Sequence, residues 1–240
     1  MDLKDVDAVI LCGGRGERLK SVVSGRPKAL ALVRGKPLLD IILEKFYDAG
    51  VRRFVLCVGY LKEQIHEHVA RIQNSGSPLS SAEFVFSEED EPLGTGGALK
   101  NAAPHIKGEC FLLVNGDCLW NFNFKELYNR HKQSGSIVSL TLTPGEPGGS
   151  YGQVVLAENG LVSNFFEKRV IKSKGFISAG TYFMNRDIFS HFPAAPAFSL
   201  EYDVFPVLAE KNLCYGIVVE SAFIDIGTPE RYASAGEFFS

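Results

Sequence analysis

Gly13, Gly14 and Gly16 stand in one short stretch with Arg15 and Arg18, and Lys28 follows soon after. Glycines let backbone N–H groups come close to an anion, and the cations add charge at the same spot, a combination suited to a nucleoside triphosphate. A plain strand-to-helix turn accounts for the glycine pair but not for three cations. The order Gly13-Gly14-Arg15-Gly16-Glu17-Arg18-Leu19 fits neither the G-x-G-x-x-G of dinucleotide sites nor the G-x-x-x-x-G-K-[ST] of P-loops. The other chemically suggestive residue is Asp117, which follows the apolar run 110–114 and Asn115-Gly116. An Asn-Gly turn explains Asn115 and Gly116 but gives Asp117 no task. A carboxylate at the carboxyl end of a parallel strand lies beside the crevice where such sheets bind ligands, and it is a hard ligand of the kind Mg²⁺ accepts.

These residues need a scaffold, and the hydrophobic pattern supplies one. Val9, Ile10 and Leu11 form a short apolar run suited to a buried parallel strand. Residues 38–46 carry apolar side chains at helical spacing, with Pro37 before and Gly50 after as punctuation. Strands are expected at 53–58, 82–86, 110–114 and 137–142, and helices at 61–73 and 124–134. His66 and His68 lie two apart in a helix, so they share no face and are expected as solvated surface. The run 88–91 is acidic and leads through a glycine-rich turn into a helix, which by itself reads as a capped, solvated helix entry. Residues 144–150 are rich in Pro and Gly and are expected as a loop or lid. Beyond them the period shortens to β-like runs through Ile171, broken by Asn159-Gly160, so an antiparallel extension of the sheet is expected. Ser199 caps a helix that continues to 210, and strands follow at 214–219 and 223–226.

The chain has 240 residues, 45% of them hydrophobic and 22% charged, which fits one large globular α/β domain. A net charge of −3 makes nucleic acid an unexpected partner, so a phosphate site must be built from local charges. The five cysteines show no C-x-x-C spacing, which argues against disulfides and structural zinc. No apolar run approaches the ~20 residues of a membrane span. Asp2, Asp5 and Asp7 stand where a signal peptide carries basic residues, so a cytoplasmic protein is expected.

Leu11-Cys12-Gly13-Gly14-Arg15-Gly16-Glu17-Arg18-Leu19, followed by Pro27-Lys28, resembles the signature of the sugar-1-phosphate nucleotidyltransferases, L-A-G-G-x-G-T-R-L with a later P-K. Cys12 replaces the usual alanine and Glu17 the usual threonine. The resemblance covers roughly residues 6–235. It implies a Rossmann-like three-layer α/β fold in a single domain, with a mixed, mostly parallel central sheet and a small antiparallel extension. Residues 1–135 would bind the nucleotide and 136–240 the sugar. Pro92, Leu93, Gly94, Thr95 and Gly96 look like the family's base-recognition loop, joining residues 11–18, Lys28 and 115–117 in the nucleotide site. Tyr151, Gly152, Glu167, Lys168, Ser178, Ala179 and Gly180 resemble its sugar-phosphate contacts, although Ser178-Ala179 stands where Asn-Gly is common. Phe223-Ile224-Asp225-Ile226-Gly227-Thr228-Pro229-Glu230-Arg231-Tyr232 resembles the closing motif and supplies Asp225 as the second ligand of Mg²⁺ beside Asp117.

The chemistry so implied is transfer of a nucleoside monophosphate, with Arg18, Lys28 and Asp117 as the catalytic set. GTP or another NTP and a sugar 1-phosphate are the expected partners, with no membrane, and a homodimer is admitted. Within the family the motif order is most similar to guanylyltransferases acting on a heptose 1-phosphate. Mannose 1-phosphate guanylyltransferases and muramic acid phosphate uridylyltransferases stand as alternatives. A glycosyltransferase normally carries D-x-D at its metal, a pattern that Asp117-Cys118-Leu119 breaks. A silent nucleotide-sugar sensor would have lost Arg18, Lys28 or an acidic ligand, and all are present.

Overall fold

The computed structural model describes residues 3–145, 151–167, 175–221 and 223–239. Strand β1 (Asp7–Leu11) sends Ala8 and Ile10 to one side and Val9 to the other, all fully buried. A strand covered on both faces needs such an uninterrupted apolar run. The glycine loop and two short 3-10 turns then lead to a ribbon of β2 (Leu32–Val33) and β3 (Lys36–Pro37). Helix α1 (Leu38–Ala49) starts after Pro37 and stops at Gly50, burying Leu38, Leu39, Ile42, Leu43 and Phe46 on one stripe.

The alternation of strand and helix continues through β4 (Arg53–Val58), α2 (Lys62–Gln73), β5 (Glu83–Glu88), α3 (Gly94–Ala102) and β6 (Cys110–Asn115). After β7 (Cys118–Trp120) and α4 (Phe124–Ser134) come β8 (Val138–Gly145), β9 (Gln153–Leu156), β10 (Val162–Phe166) and β11 (Gly175–Asn185). Helix α5 (Phe205–Glu210), β12 (Cys214–Val218), β13 (Phe223–Asp225) and α6 (Pro229–Ser234) complete it.

One nine-stranded sheet runs in the order β10-β9-β11-β6-β1-β4-β5, with β8 pairing β11 and β12 beside that path. Strands β6, β1, β4 and β5 are parallel, and β11 reverses direction against β6 to begin the antiparallel extension. Alternate residues divide the core into two layers. Phe54, Leu56, Leu112 and Val114 pack under α1, α2 and α4, while Val55, Phe111 and Leu113 pack under α3 and α5. The three-layer fold with a mixed sheet is therefore the one expected from the sequence. Among the described residues no helix is long and apolar enough to cross a membrane.

Four details differ from the sequence reading. Strand β7 was not foreseen, because three residues are too few to show a period; it exists by pairing with β13. The glycines of 94–97 do not precede the helix but form its first turn. His66 and His68 are tied down rather than simply solvated: His66 stacks on Phe86 with ring centroids 3.8 Å apart, and His68 meets Asp40 at 2.5 Å. The loop expected at 144–150 and the run at Ile171 fall largely or wholly outside the described residues, although Pro144 and Gly145 still belong to β8.

Candidate active site

The parallel strands β1, β4, β5 and β6 all end at the same edge, so the segments that follow them gather there. A cleft of about 450 Å³ opens between them. Leu11, Cys12, Gly13, Gly14, Arg15, Gly16, Glu17, Arg18 and Lys28 line it together with Pro92, Gly94, Thr95, Asn115, Gly116 and Asp117. The loop can lie this close only because Gly13 lacks a side chain: a Cβ there would sit 2.7 Å from Glu89 Oε1 and 3.1 Å from the Gly59 nitrogen. Cys12 is a buried filler whose thiol is pushed up to about 12, by burial first and the nearby Glu89 charge second, so it stays neutral. Glu17 turns to Lys20 at 2.6 Å, and Arg18 makes no ion pair among the described residues.

A second cavity of about 440 Å³ adjoins the first and shares Arg18, Gly94, Thr95, Asn115 and Asp117 with it. Tyr151, Gly152, Glu167, Ser178 and Gly180 line it, as does Asp225. Residues far apart in sequence thus meet at one junction, and the two spaces open on either side of it. Asn115 stands there with its side-chain oxygen buried and without a partner among the described residues, an acceptor left for a ligand.

Lys28 donates a hydrogen bond to Asp117 Oδ2. Burial works to raise the Asp117 carboxyl, but the charge and hydrogen bond of Lys28, together with hydrogen bonds from the Cys118 thiol and the Asp117 backbone, outweigh it and hold the group below its ordinary value. Asp225 pairs with Cys118 across the β7–β13 ribbon, and Ile226 N–H donates to the Asp117 carbonyl at 2.9 Å. That ribbon brings the two carboxylates to the same cavity. Asp225 Oδ1 accepts the Gly227 N–H at 2.7 Å and Oδ2 accepts Arg231 Nη1 at 2.5 Å. Among the described residues no three His, Cys, Asp or Glu side chains cluster as a metal cage. Two carboxylates beside space for phosphates and water fit a magnesium ion, which keeps several non-protein ligands, and would not suffice for a closed structural site.

Three expected contacts lie elsewhere. Gly96 packs against Phe198, where a Cβ would come within 2.2 Å of the ring, and its N–H is spent on the Phe198 carbonyl at 3.0 Å. The Leu93 carbonyl accepts the Phe198 N–H at 2.9 Å, so the turn at 93–96 is a seat for the 198 segment and only Pro92, Gly94 and Thr95 face the cleft. Ala179 is fully buried, with its carbonyl accepting Trp120 Nε1–H at 2.8 Å. Lys168 lies outside the described residues.

Several lining residues had not been singled out. Glu89 belongs to the acidic run read as solvated, yet it folds inward over Gly13 and Gly59; one carboxyl oxygen is buried without a partner among the described residues, and burial raises its pKa. Glu201 accepts Thr95 Oγ1–H at 2.5 Å and Ser199 Oγ–H at 2.7 Å, joining α3 to the wall of the second cavity. Its sequence signal, an acid just past a serine cap, looks the same as ordinary helix punctuation. Arg231, six residues after Asp225 in the same closing motif, lines the second cavity as well.

Fold and site together define a nucleotide-binding α/β transferase with a cationic glycine loop and an adjoining polar cavity. The sequence pattern described as nucleotidyl transferase matches residues 7–240, and the chain belongs to that family of enzymes. It is 34% identical to the D-glycero-alpha-D-manno-heptose 1-phosphate guanylyltransferase of Campylobacter jejuni, over 95% of this chain and 97% of that one. A Drosophila pseudoobscura relative, mannose-1-phosphate guanylyltransferase catalytic subunit beta, is also 34% identical, over 94% of this chain and 60% of its own length. The crystal structure of HddC from Yersinia pseudotuberculosis complexed with GMP-PN superposes with a TM-score of 0.81 at 33% identity, covering 98% of this chain and 100% of that one.

Proposed function

We propose that this enzyme transfers GMP from GTP to a sugar 1-phosphate, with a D-glycero-α-D-manno-heptose 1-phosphate as the preferred acceptor, releasing pyrophosphate. The observation that carries the reading is the junction of two cavities at Arg18, Asn115 and Asp117, one lined by the glycine loop and the other by hydroxyls and carboxylates. Two phosphates of like charge must meet there, so catalysis consists of alignment and charge neutralisation. The loop amides and Arg18 hold the triphosphate, Lys28 steadies the α-phosphate, and the hydroxyl-rich cavity orients the sugar. An oxygen of the sugar 1-phosphate attacks the α-phosphorus in line, and the bond to the β-phosphate oxygen breaks with its electron pair leaving on pyrophosphate. The acceptor is already ionised at neutral pH, so no general base is needed. Magnesium, held by Asp117 and Asp225, would supply further neutralisation of the phosphate oxygens. A cytoplasmic homodimer belongs to the same reading.

Guanine is favoured over other bases by Glu89. The Glu89 side chain lines the nucleotide cleft, and guanine alone presents adjacent N1–H and N2–H₂ donors to a carboxylate there. The heptose is favoured because the heptose-specific relative from Campylobacter matches along nearly its whole length. The test offers the purified protein GTP, UTP, CTP and ATP against heptose, mannose and N-acetylmuramate 1-phosphates, with pyrophosphate as the readout. GTP with the heptose should give the highest kcat/KM, and Glu89→Gln should cut the GTP preference by about tenfold or more. A preference for UTP or CTP, or an unaltered base preference in the variant, would sink the reading.

A further inference from the structure

Arg231 projects from α6 into the acceptor cavity, and the scheme above gives it no task. Its Nη1 donates to Asp225 Oδ2 at 2.5 Å, and its guanidinium lies over the Tyr151 ring, 5.0 Å from the centroid. These contacts, with a hydrogen bond between Arg231 and the Tyr151 hydroxyl, fix the plane of the group. A Cβ built on Gly227 would stand 3.5 Å from Nη2 of Arg231 and 3.4 Å from Nη2 of Arg18. Two guanidinium edges therefore converge over one glycine, where the nucleotide cleft and the acceptor cavity meet.

We propose that Arg231 binds the phosphate of the incoming sugar 1-phosphate, with Arg18 facing it across the gap that Gly227 keeps open. The inference rests on the acceptor reading of this cavity and assigns its anion-binding residue. Around the junction Lys28 is paired with Asp117 and Arg231 with Asp225, and Glu167 and Glu201 line the cavity further along, whereas the Arg18 guanidinium meets no carboxylate among the described residues and faces Arg231 across Gly227. The two guanidinium edges that face each other across Gly227 repel unless an anion lies between them. The guanidinium fork matches phosphate oxygens in geometry, and the Asp225 contact and the Tyr151 ring hold it ready at little cost in side-chain entropy. Gly227 is small where any larger residue would close the gap: its Cβ would also meet Asp225 Oδ1 at 2.5 Å.

Arg231→Gln and Arg231→Lys, assayed with GTP, Mg²⁺ and the sugar 1-phosphate that the wild type uses best, separate this role from mere support of Asp225. For Arg231→Gln the KM of the sugar 1-phosphate should rise about tenfold or more, with the GTP KM and the half-saturating Mg²⁺ concentration within about twofold of wild type. Arg231→Lys should recover part of the loss, and it carries the test if the glutamine variant does not fold. Thermal melts give a second readout: the sugar 1-phosphate should raise the melting temperature of the wild type more than that of Arg231→Gln, while the free sugar should not distinguish them. An unchanged acceptor KM, or a Mg²⁺ requirement that shifts as far as the acceptor KM, overturns the proposal. A wild type that turns over no sugar 1-phosphate overturns the acceptor reading itself, and that result appears before any variant is made.

Discussion

At the scale of single residues, Asp117 shows how the site keeps a carboxylate ionised where burial opposes it. Desolvation raises its pKa, and Lys28 reverses the sign through charge and hydrogen bond, joined by hydrogen bonds from the Cys118 thiol and the Asp117 backbone. The Lys28 contact ties residue 28 to residue 117, so each side chain holds the other ready for phosphate or metal. Asp225 is fixed in place by hydrogen bonds from Arg231 Nη1 and the Gly227 N–H. Asp117→Ala or Asp225→Ala should lower turnover by at least about a hundredfold, with far-UV circular dichroism unchanged. Near-normal rates with magnesium in either variant would show that the two carboxylates are not the metal pair.

At the scale of elements, α4 owes its seat to a buried histidine. His131 accepts or donates at 2.8 Å to Ser139 Oγ on β8 and meets Asn185 Oδ1 at 3.2 Å at the end of β11, while Phe124 and Leu127 pack the rest of the same stripe. Burial lowers the pKa of His131 to about 4, with the Asn185 hydrogen bond working against that shift and the Lys132 charge adding to it. The folded pKa lies below the unfolded value of about 6.5, so the unfolded chain binds the proton more readily. Stability from this group is complete above pH 6.5 and drains away as the pH falls toward 4. Between pH 7.5 and 5 the loss amounts to about 2 kcal/mol. Urea melts of the wild type and His131→Gln at both pH values should show that difference in pH slope; equal slopes would mean that His131 is not the titrating group.

At the scale of the whole molecule, one sheet runs from the first 135 residues into the rest of the chain. Strand β11 lies along β6 from Thr181↔Val114 to Asn185↔Cys110, and α5 shares a core layer with α3. Gly94 and Thr95 face the acceptor cavity, while Gly227 faces the nucleotide cleft, so neither half owns its pocket alone. A fragment ending at residue 135 would expose the β6 edge and the apolar layer under α5. Such a fragment should fail to fold, as judged by a sloping, non-cooperative urea transition, whereas the full chain unfolds in a single step. A fragment with a cooperative transition would mean that the nucleotide half is an independent unit.

In the sequence by itself, runs such as 9–11 and 110–114 alternating with helical spacing pointed to buried parallel strands in an α/β domain, and the family resemblance supplied the three-layer arrangement. The sequence also showed the glycine loop with its cations and Asp117 at a strand end, each a local pattern within a few positions, whereas Asp225 entered only through the resemblance of residues 223–232 to the family's closing motif. Only the tertiary structure decided that Gly96 and Leu93 serve as a seat for residue 198 and that Ala179 turns into the core. It alone folded Glu89 inward and brought Arg231 opposite Arg18. The physical reason is that a local pattern fixes whether a residue lies on a strand end or a helix start, whereas the direction of its side chain depends on what distant segments pack against it.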